Sequence, residues 1–370
     1  MTNVLSIVSY SFLPAKMGGH KGIALFYQYF GQKVDLTCVS TRQNEEKFTL
    51  NYRLIKLFGK SGLRYINPFY FFPLRRIIKE KKIEWILLEH PYYGWLAFLL
   101  KYLCGVKLLA KSHNIESIRF KSIGKWWWGI MWQYEKFVFK MADKAFFITE
   151  EDRAFAIKNY QINASKCHVI TYGTERAAIP SPVEKKAAKE ALKKMYGLGN
   201  EYIYLFNGTL DYKPNSDGLK AIIGPINDYL LANNPLPYKI IICGKNLPAA
   251  LNNLADYAGK HIIYAGFVND IDIYFKGADC FLNPVIEGGG IKTKVVEALG
   301  LDLDVITTKS GAIGIPAAVA GNKMKIVEDS DWRGFAKEAL QILPGQHTGA
   351  LFFDHFYWET IGEKAADILI

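Results

Sequence analysis

Cysteine is scarce and scattered in this chain. The five, Cys38, Cys104, Cys167, Cys243 and Cys280, stand too far apart in sequence for a metal clip or a redox pair. Most sit in apolar segments, which predicts buried free thiols in a reducing compartment. Long hydrophobic runs are missing as well. The longest, Gly94 to Ala110, is interrupted by Lys101 and Lys107 and falls short of the ~20 residues that a spanning helix needs. It reads as a buried helix followed by a strand. The opening MTNVLSIVSYSFLP has no basic residue before its apolar run, so it reads as a first buried strand and not a signal peptide. These absences together predict a cytoplasmic protein. Low-complexity tracts and internal repeats are also lacking, and the composition is globular. Acid is short in one half only. Residues 1–170 hold 26 of the 46 Lys+Arg but 12 of the 35 Asp+Glu, so the whole +11 excess lies there. A basic half predicts an anionic partner, whether membrane surface, lipid diphosphate or nucleic acid; the alternative is a solvated basic face.

What is present favours two domains. A length of 370 residues, half of them hydrophobic and 14% aromatic, is enough for two cores. Short apolar runs alternate with longer amphipathic segments, the pattern of parallel α/β architecture. Strands are predicted over Val4–Tyr10, Lys33–Val39, Glu84–Leu88, Lys107–Lys111, Lys144–Ile148 and Cys167–Thr171, with helices around Gly22–Phe30 and Trp127–Met141. A second series covers Tyr202–Asn207, Tyr238–Cys243, His261–Ala265, Cys280–Asn283, Val305–Thr307 and Lys323–Ile326. Between them, residues 177–201 open with a Pro/Ser turn and continue as a charged helix. The predicted domains are 1–175 and 176–351, with an amphipathic helix at 352–370 returning to the first. Two doubly wound sheets in tandem, each binding at the carboxyl ends of its strands, are expected to face a common cleft.

The most informative stretch is Cys280–Pro316, CFLNPVIEGGGIKTKVVEALGLDLDVITTKSGAIGIP. A strand ends at Asn283-Pro284, a turn follows through Gly288, Gly289, Gly290 and Ile291, and a helix carries Lys294 and Glu297. Glycines at a strand-to-helix turn let backbone amides approach an anion, and the helix start adds its positive dipole end. A diphosphate suits that place. Lys292 and Lys294 can add charge to the same anion, and Glu297, about two turns into the helix, can accept from ribose hydroxyls. Gly-Gly-Gly alone would read as a structural turn; the full order of strand, Asn-Pro, Glu-Gly-Gly-Gly, Lys, Glu-Ala, strand and Gly-x-x-Gly points to a nucleotide.

This segment resembles the nucleotide-binding signature of family-4-like glycosyltransferases of GT-B fold, in the glycosyl transferases group 1 superfamily. Landmarks in matching order run over nearly the whole chain: Gly18-Gly19-His20, His113-Asn114-Ile115-Glu116, Ala142-Asp143 and Gly173, then Phe206-Asn207-Gly208-Thr209-Leu210, Pro214-Asn215, Ile242-Cys243-Gly244 and Gly266-Phe267-Val268. The resemblance implies two Rossmann-like domains and transfer of a sugar from a nucleotide-diphosphate sugar to a glycan or lipid-linked acceptor. Cell-surface polysaccharide or lipopolysaccharide synthesis is the implied setting. It places Gly208, Thr209 and, more loosely, Lys213 near the donor phosphates. Gly244 with Gly266, Phe267 and Val268 would frame the base through backbone groups. Gly18, Gly19 and His20 would line the acceptor side, and His113 would reach the transferred sugar. Many members carry two glutamates with seven residues between them. Here the first position is Gly289; either Glu287, two residues earlier, takes over the sugar contact, or the contact is missing.

Catalysis of this kind stabilises charge on a departing diphosphate, at roughly 3 kcal/mol per oriented donor. No metal or other cofactor is expected: Asp270-Ile271-Asp272 reads as a helix cap and Asp302-Leu303-Asp304 as the turn before a strand. Relatives mostly retain anomeric configuration; an inverting enzyme would need a base near the acceptor. Two aromatic-basic stretches, 67–82 and 119–137, add an acceptor-side feature. Trp126, Trp127, Trp128 and Trp132 with Lys121 and Lys125 predict an interfacial patch for an anionic membrane, the alternative being domain core. Rival readings are an inactive sugar-nucleotide-binding scaffold and a sugar-nucleotide epimerase. No nucleic-acid module is recognisable.

Overall fold

The central strands of each sheet are too apolar to face water on either side, the mark of parallel strands covered by helices on both faces. A computed structural model describes residues 1–15, 18–341 and 345–370. The chain forms two compact units, Met1–Glu175 with Phe356–Ile370, and Arg176–His355.

The first unit carries β1 (Asn3–Val8), α1 (Gly18–Phe30), β2 (Asp35–Thr41), β3 (Arg53–Phe58), α2 (Phe71–Glu80), β4 (Trp85–Glu89) and α3 (Gly94–Cys104). After these come β5 (Lys107–Ser112), α4 (Glu116–Ser122), α5 (Trp128–Met141), β6 (Lys144–Phe147), α6 (Glu150–Phe155) and β7 (Cys167–Val169). All strands pair parallel, in the order β3-β2-β1-β4-β5-β6-β7. Strand β4 is buried along its whole length. The sequence reading passed over β3. It is an edge strand whose Arg53 and Lys56 stay in solvent, so its apolar signal is diluted by half. The first strand stops at Val8, short of the expected Tyr10, and α1 begins at Gly18 and not Gly22.

The second unit opens with α7 (Pro182–Tyr196), whose limits are written in the sequence. Ser181 accepts from the Glu184 amide, Glu184 accepts from the Ser181 amide, Pro182 fills the first turn, and Gly197 ends the helix in the left-handed region at φ 64°. Its elements are β8 (Tyr202–Thr209), α8 (Lys213–Ala221), α9 (Asn227–Asn233), β9 (Tyr238–Lys245), β10 (Ile262–Gly266), α10 (Ile271–Gly277) and β11 (Cys280–Asn283). Next are α11 (Thr293–Gly300), β12 (Asp304–Thr308), α12 (Ala317–Ala320), β13 (Met324–Val327), α13 (Trp332–Leu340) and α14 (Ala350–Phe356). The sheet order is β10-β9-β8-β11-β12-β13, again parallel. Strand β10 begins after His261, which adopts φ 64° and so cannot start a strand. Asp270 caps α10 through the Asp272 amide. Asp302 turns the chain at φ 61° before β12, and its carboxylate meets Lys185, His347 and the Thr348 amide.

The tail is two helices and not the single one expected over 352–370. Helix α14 stops at Phe356 and α15 (Trp358–Asp367) starts afresh. Between them Tyr357 is extended and bridges Thr174, with Thr174 N–H donating to Phe356 O and Trp358 N–H to Thr174 O. Within the first unit α15 packs on α1. Gly362 eases the approach, because a Cβ would stand a tight 3.0 Å from the Tyr29 carbonyl carbon. The sequence-based border at 351 thus falls short of His355, where the second unit ends.

Candidate functional site

In a parallel sheet the crevice for a ligand opens at the carboxyl ends of the strands, where chain order reverses. That point lies between β8 and β11 in the second unit and between β1 and β4 in the first. Both points carry polar groups that the cores do not require.

In the second unit the loop after β8 meets the start of α11. The half-buried Lys294 donates to Asn207 O at 3.2 Å and to Asn215 Oδ1 at 3.0 Å, and its ammonium lies 4.8 Å from the Phe206 ring centre. Asn215 in turn donates to Thr209 O at 3.1 Å. Burial pushes the Lys294 ammonium down to about 7, and Lys292 nearby adds to the fall. Gly208 is closed over by Asn215: a Cβ on it would sit 2.7 Å from the amide nitrogen. Gly244, at the end of β9, lies so close to Gly208 O that a Cβ would stand 2.1 Å away. Tyr264 donates to Gly244 O, which joins the β9 end to β10 and to Gly266, Phe267 and Val268 beyond it. The Phe267 ring is exposed there.

The glycine loop adopts what only glycine does easily. Gly288 and Gly290 hold φ 91° and 69°, with Gly289 between them and Ile291 following. The N-cap residue of α11, Lys292, makes no side-chain cap bond to the first turn. Lys292, expected to add charge to an anion, donates to Gly288 O and Gly290 O and braces the loop. Glu287 and Lys213, singled out separately in the sequence, form an exposed ion pair at 2.6 Å, and Lys213 also reaches Asp217. Glu297 stands one turn into α11, not two, because the helix starts at Thr293. Beneath, buried Asn283 donates to Thr307 and Thr308 donates to Val285 O, tying the ends of β11 and β12 together. Asn215 was missed as a site residue, although Pro214-Asn215 stood out as a landmark.

In the first unit His113 follows β5, and its Nε2 lies 2.5 Å from Glu89 Oε2. Glu89 Oε1 accepts from Lys111 at 2.9 Å. Burial pushes the His113 imidazole down to about 4, against the pull of Glu89 and with help from His90 and Lys111. Burial alone would raise the Glu89 carboxyl, but Lys111 and then His113 outweigh it and hold it well below the usual range. The His90 ring stacks on His113 at 4.5 Å, and Tyr10 hydroxyl meets His90 Nε2 at 2.8 Å. His20 joins the row, 5.9 Å from Tyr10 between ring centres. Gly18 and Gly19 form the first turn of α1, with open space around Gly19. On the far side Glu116 accepts from Tyr92 and Arg119. Glu89, His90, Lys111 and Tyr10 escaped the sequence reading. The available signal was a charged residue at the end of WILLE and one place before the end of KLLAKS, each after a run of apolar residues.

Two family models match the chain: Glycosyltransferase Family 4 over residues 26–177 and Glycosyl transferases group 1 over 201–344. This chain is a GT-B glycosyltransferase. Solved structures agree on the fold. Sucrose-phosphate synthase from Thermosynechococcus elongatus superposes with TM-score 0.73 at 14% identity, covering 100% of this chain and 98% of its own. Anabaena HepE in complex with UDP gives 0.74 at 13%, covering 100% and 99%. The lipopolysaccharide outer core galactosyltransferase WaaB gives 0.68 at 11%, covering 99% of each. No curated protein matches by sequence.

The glycosyltransferase bears its two aromatic-basic stretches on the first unit. Trp126 is 84% exposed, with Ile123 and Ile130 also exposed beside it, and Lys121 lies over the Trp128 ring. Trp127 is folded against Phe120. Trp132 does not belong with them: it packs against the core, edge-on to Tyr160, because its place on α5 faces inward. In the other stretch Phe69 and Phe72 are exposed while Leu74 and Ile78 are buried. Among the described residues no helix is long and apolar enough to cross a membrane, and no group of three or more His, Cys, Asp or Glu is placed to hold a metal.

Proposed function

We propose that this glycosyltransferase takes its sugar from a nucleotide-diphosphate donor held on the second unit. One observation carries the reading: Lys294, the start of α11 and the glycine loop converge with Gly208 and Thr209 at the sheet's reversal point. A partly desolvated ammonium that meets no carboxylate among the described residues is unfavourable until an anion arrives. The diphosphate supplies that anion, and the same donors stabilise it as it departs. The solved HepE structures, with UDP and with UDP-glucose, support a donor of this chemical class. Glu287 and Glu297 serve the donor's hydroxyls, and His113 is the first unit's candidate partner for a sugar hydroxyl. The reaction is metal-independent and retains configuration, with the charge carried by protein donors. A thermal-shift screen with UDP, GDP, ADP and their sugars tests this. The expected result is a rise in melting temperature with one base, as mass action requires; no shift with any of them refutes it.

The acceptor is proposed to be lipid-linked or a growing surface glycan, met at the inner face of an anionic membrane. Exposed Trp126, Ile123, Ile130, Phe69 and Phe72, interleaved with Lys121, Lys125, Arg75 and Arg76, support this. Indoles settle at headgroup level, and each basic side chain adds about 1 kcal/mol there. Co-sedimentation with anionic vesicles at low salt, lost in Trp126→Ala/Lys125→Ala, is expected. Equal pelleting with and without vesicles ends the idea.

A further inference from the structure

We infer that Glu89 and Lys111 are a positioning pair for His113, holding its ring as the tautomer protonated on Nε2 and leaving Nδ1 to accept from a hydroxyl of the transferred sugar. The inference rests on the proposed function for the sugar, but on this chain's geometry for the tautomer.

Register puts the pair side by side: Glu89 of β4 stands opposite Lys111 of β5, at the carboxyl end of the sheet. Both are buried, at 1% and 2% exposure. A buried ion pair adds little net stability, and apolar residues of like volume do as well. Something other than stability is needed to account for it. The carboxylate is divided between two partners, one oxygen taking the Lys111 ammonium and the other His113 Nε2. An ionised carboxylate only accepts, so Nε2 must carry the proton and Nδ1 the lone pair. Lys111 has a second task. A histidine beside a lone buried carboxylate would be drawn into the imidazolium form, which cannot accept. The ammonium offsets the Glu89 charge while its far side rests on the Phe26 ring, 3.7 Å from the centre. The ring plane is fixed from the other side by His90, 4.5 Å away and tilted by 21°. His90 is itself held by Tyr10, on a backbone at φ 63° that places it over His113. Glu116 and Arg119 complete the charges facing this row, paired with each other.

The test reads tautomer and catalysis separately. Imidazole ¹⁵N spectra of the full chain, with His113 assigned through His113→Asn, are expected to show the neutral Nε2–H pattern from pH 6 to 8. Glu89→Gln/Lys111→Met removes both charges at nearly constant volume. In it the His113 signals are expected to turn to a mixture of tautomers and kcat to fall about 10²-fold, the scale of misplaced catalytic groups, with donor KM moving less than about threefold. Binding of UDP, GDP or ADP to the double variant should be unchanged. An imidazolium or an Nδ1–H ring in the wild type overturns the inference, as does a double variant that keeps both the tautomer and kcat. The wild-type spectrum decides the tautomer even where the variant folds poorly. Failure of every nucleotide to bind would refute the proposed function and leave the tautomer result standing.

Discussion

Replacing Lys294 by methionine removes an ammonium that burial holds near neutrality beside the glycine loop. Its value of about 7 lies below that of a free lysine because desolvation disfavours the charge, and Lys292 repels it further. The sign follows. With the folded-state value lowered, the ammonium is charged below about 7 and progressively lost above it. A bound diphosphate favours the charged form, so binding takes up a proton wherever the free protein has shed it. About one-tenth of the free protein is charged at pH 8 and about one-hundredth at pH 9, so affinity should fall about tenfold per pH unit there. The terminal phosphate's own ionisation, near ~6, is complete in that range and does not compete. Calorimetric titration of the preferred nucleoside diphosphate from pH 7.5 to 9, in buffers of different ionisation enthalpy, measures both the slope and the proton taken up. Lys294→Met should abolish the slope. At pH 7 it should weaken binding by roughly 10- to 150-fold, the about 1.5–3 kcal/mol of a hydrogen bond to a charged group. An affinity flat with pH in the wild type, or the same slope in the variant, would refute the placement of the diphosphate on Lys294.

Glu287→Gln should leave the melting temperature almost unmoved, since its pair with Lys213 is exposed and such pairs contribute about 0–1 kcal/mol. Transfer rate should nonetheless drop; an unchanged rate would remove Glu287 from the site. Gly244→Ala forces a methyl against Gly208 O and should destabilise the second unit by about 1–3 kcal/mol in denaturant while weakening nucleotide binding. Ser181→Ala should cost about 1 kcal/mol through the lost cap of α7 and leave nucleotide affinity untouched, which makes it the control for both.

The sequence carried the parallel α/β pattern because buried strands read as apolar runs, and β11 was placed to the residue. Helix α7 was legible as a charged helix after a Pro/Ser turn, and the structure shows its limits to be local too, set by Ser181, Pro182, Glu184 and Gly197. The glycine loop and its lysines were legible because a tight approach to an anion demands particular residue types in order. Three things were not. Edge strand β3 hid because half its face is wet. The break at Tyr357 depends on Thr174, far away in sequence. The contacts of Lys292 were the third, since only the folded loop turns Gly288 O and Gly290 O toward its ammonium. Local chemistry alone thus determined most of the elements and the residue types at the anion site. The partners of Glu89, Lys111, His90 and His113 were decided by strand register, because charged side chains find one another across a sheet only after β4 and β5 have paired.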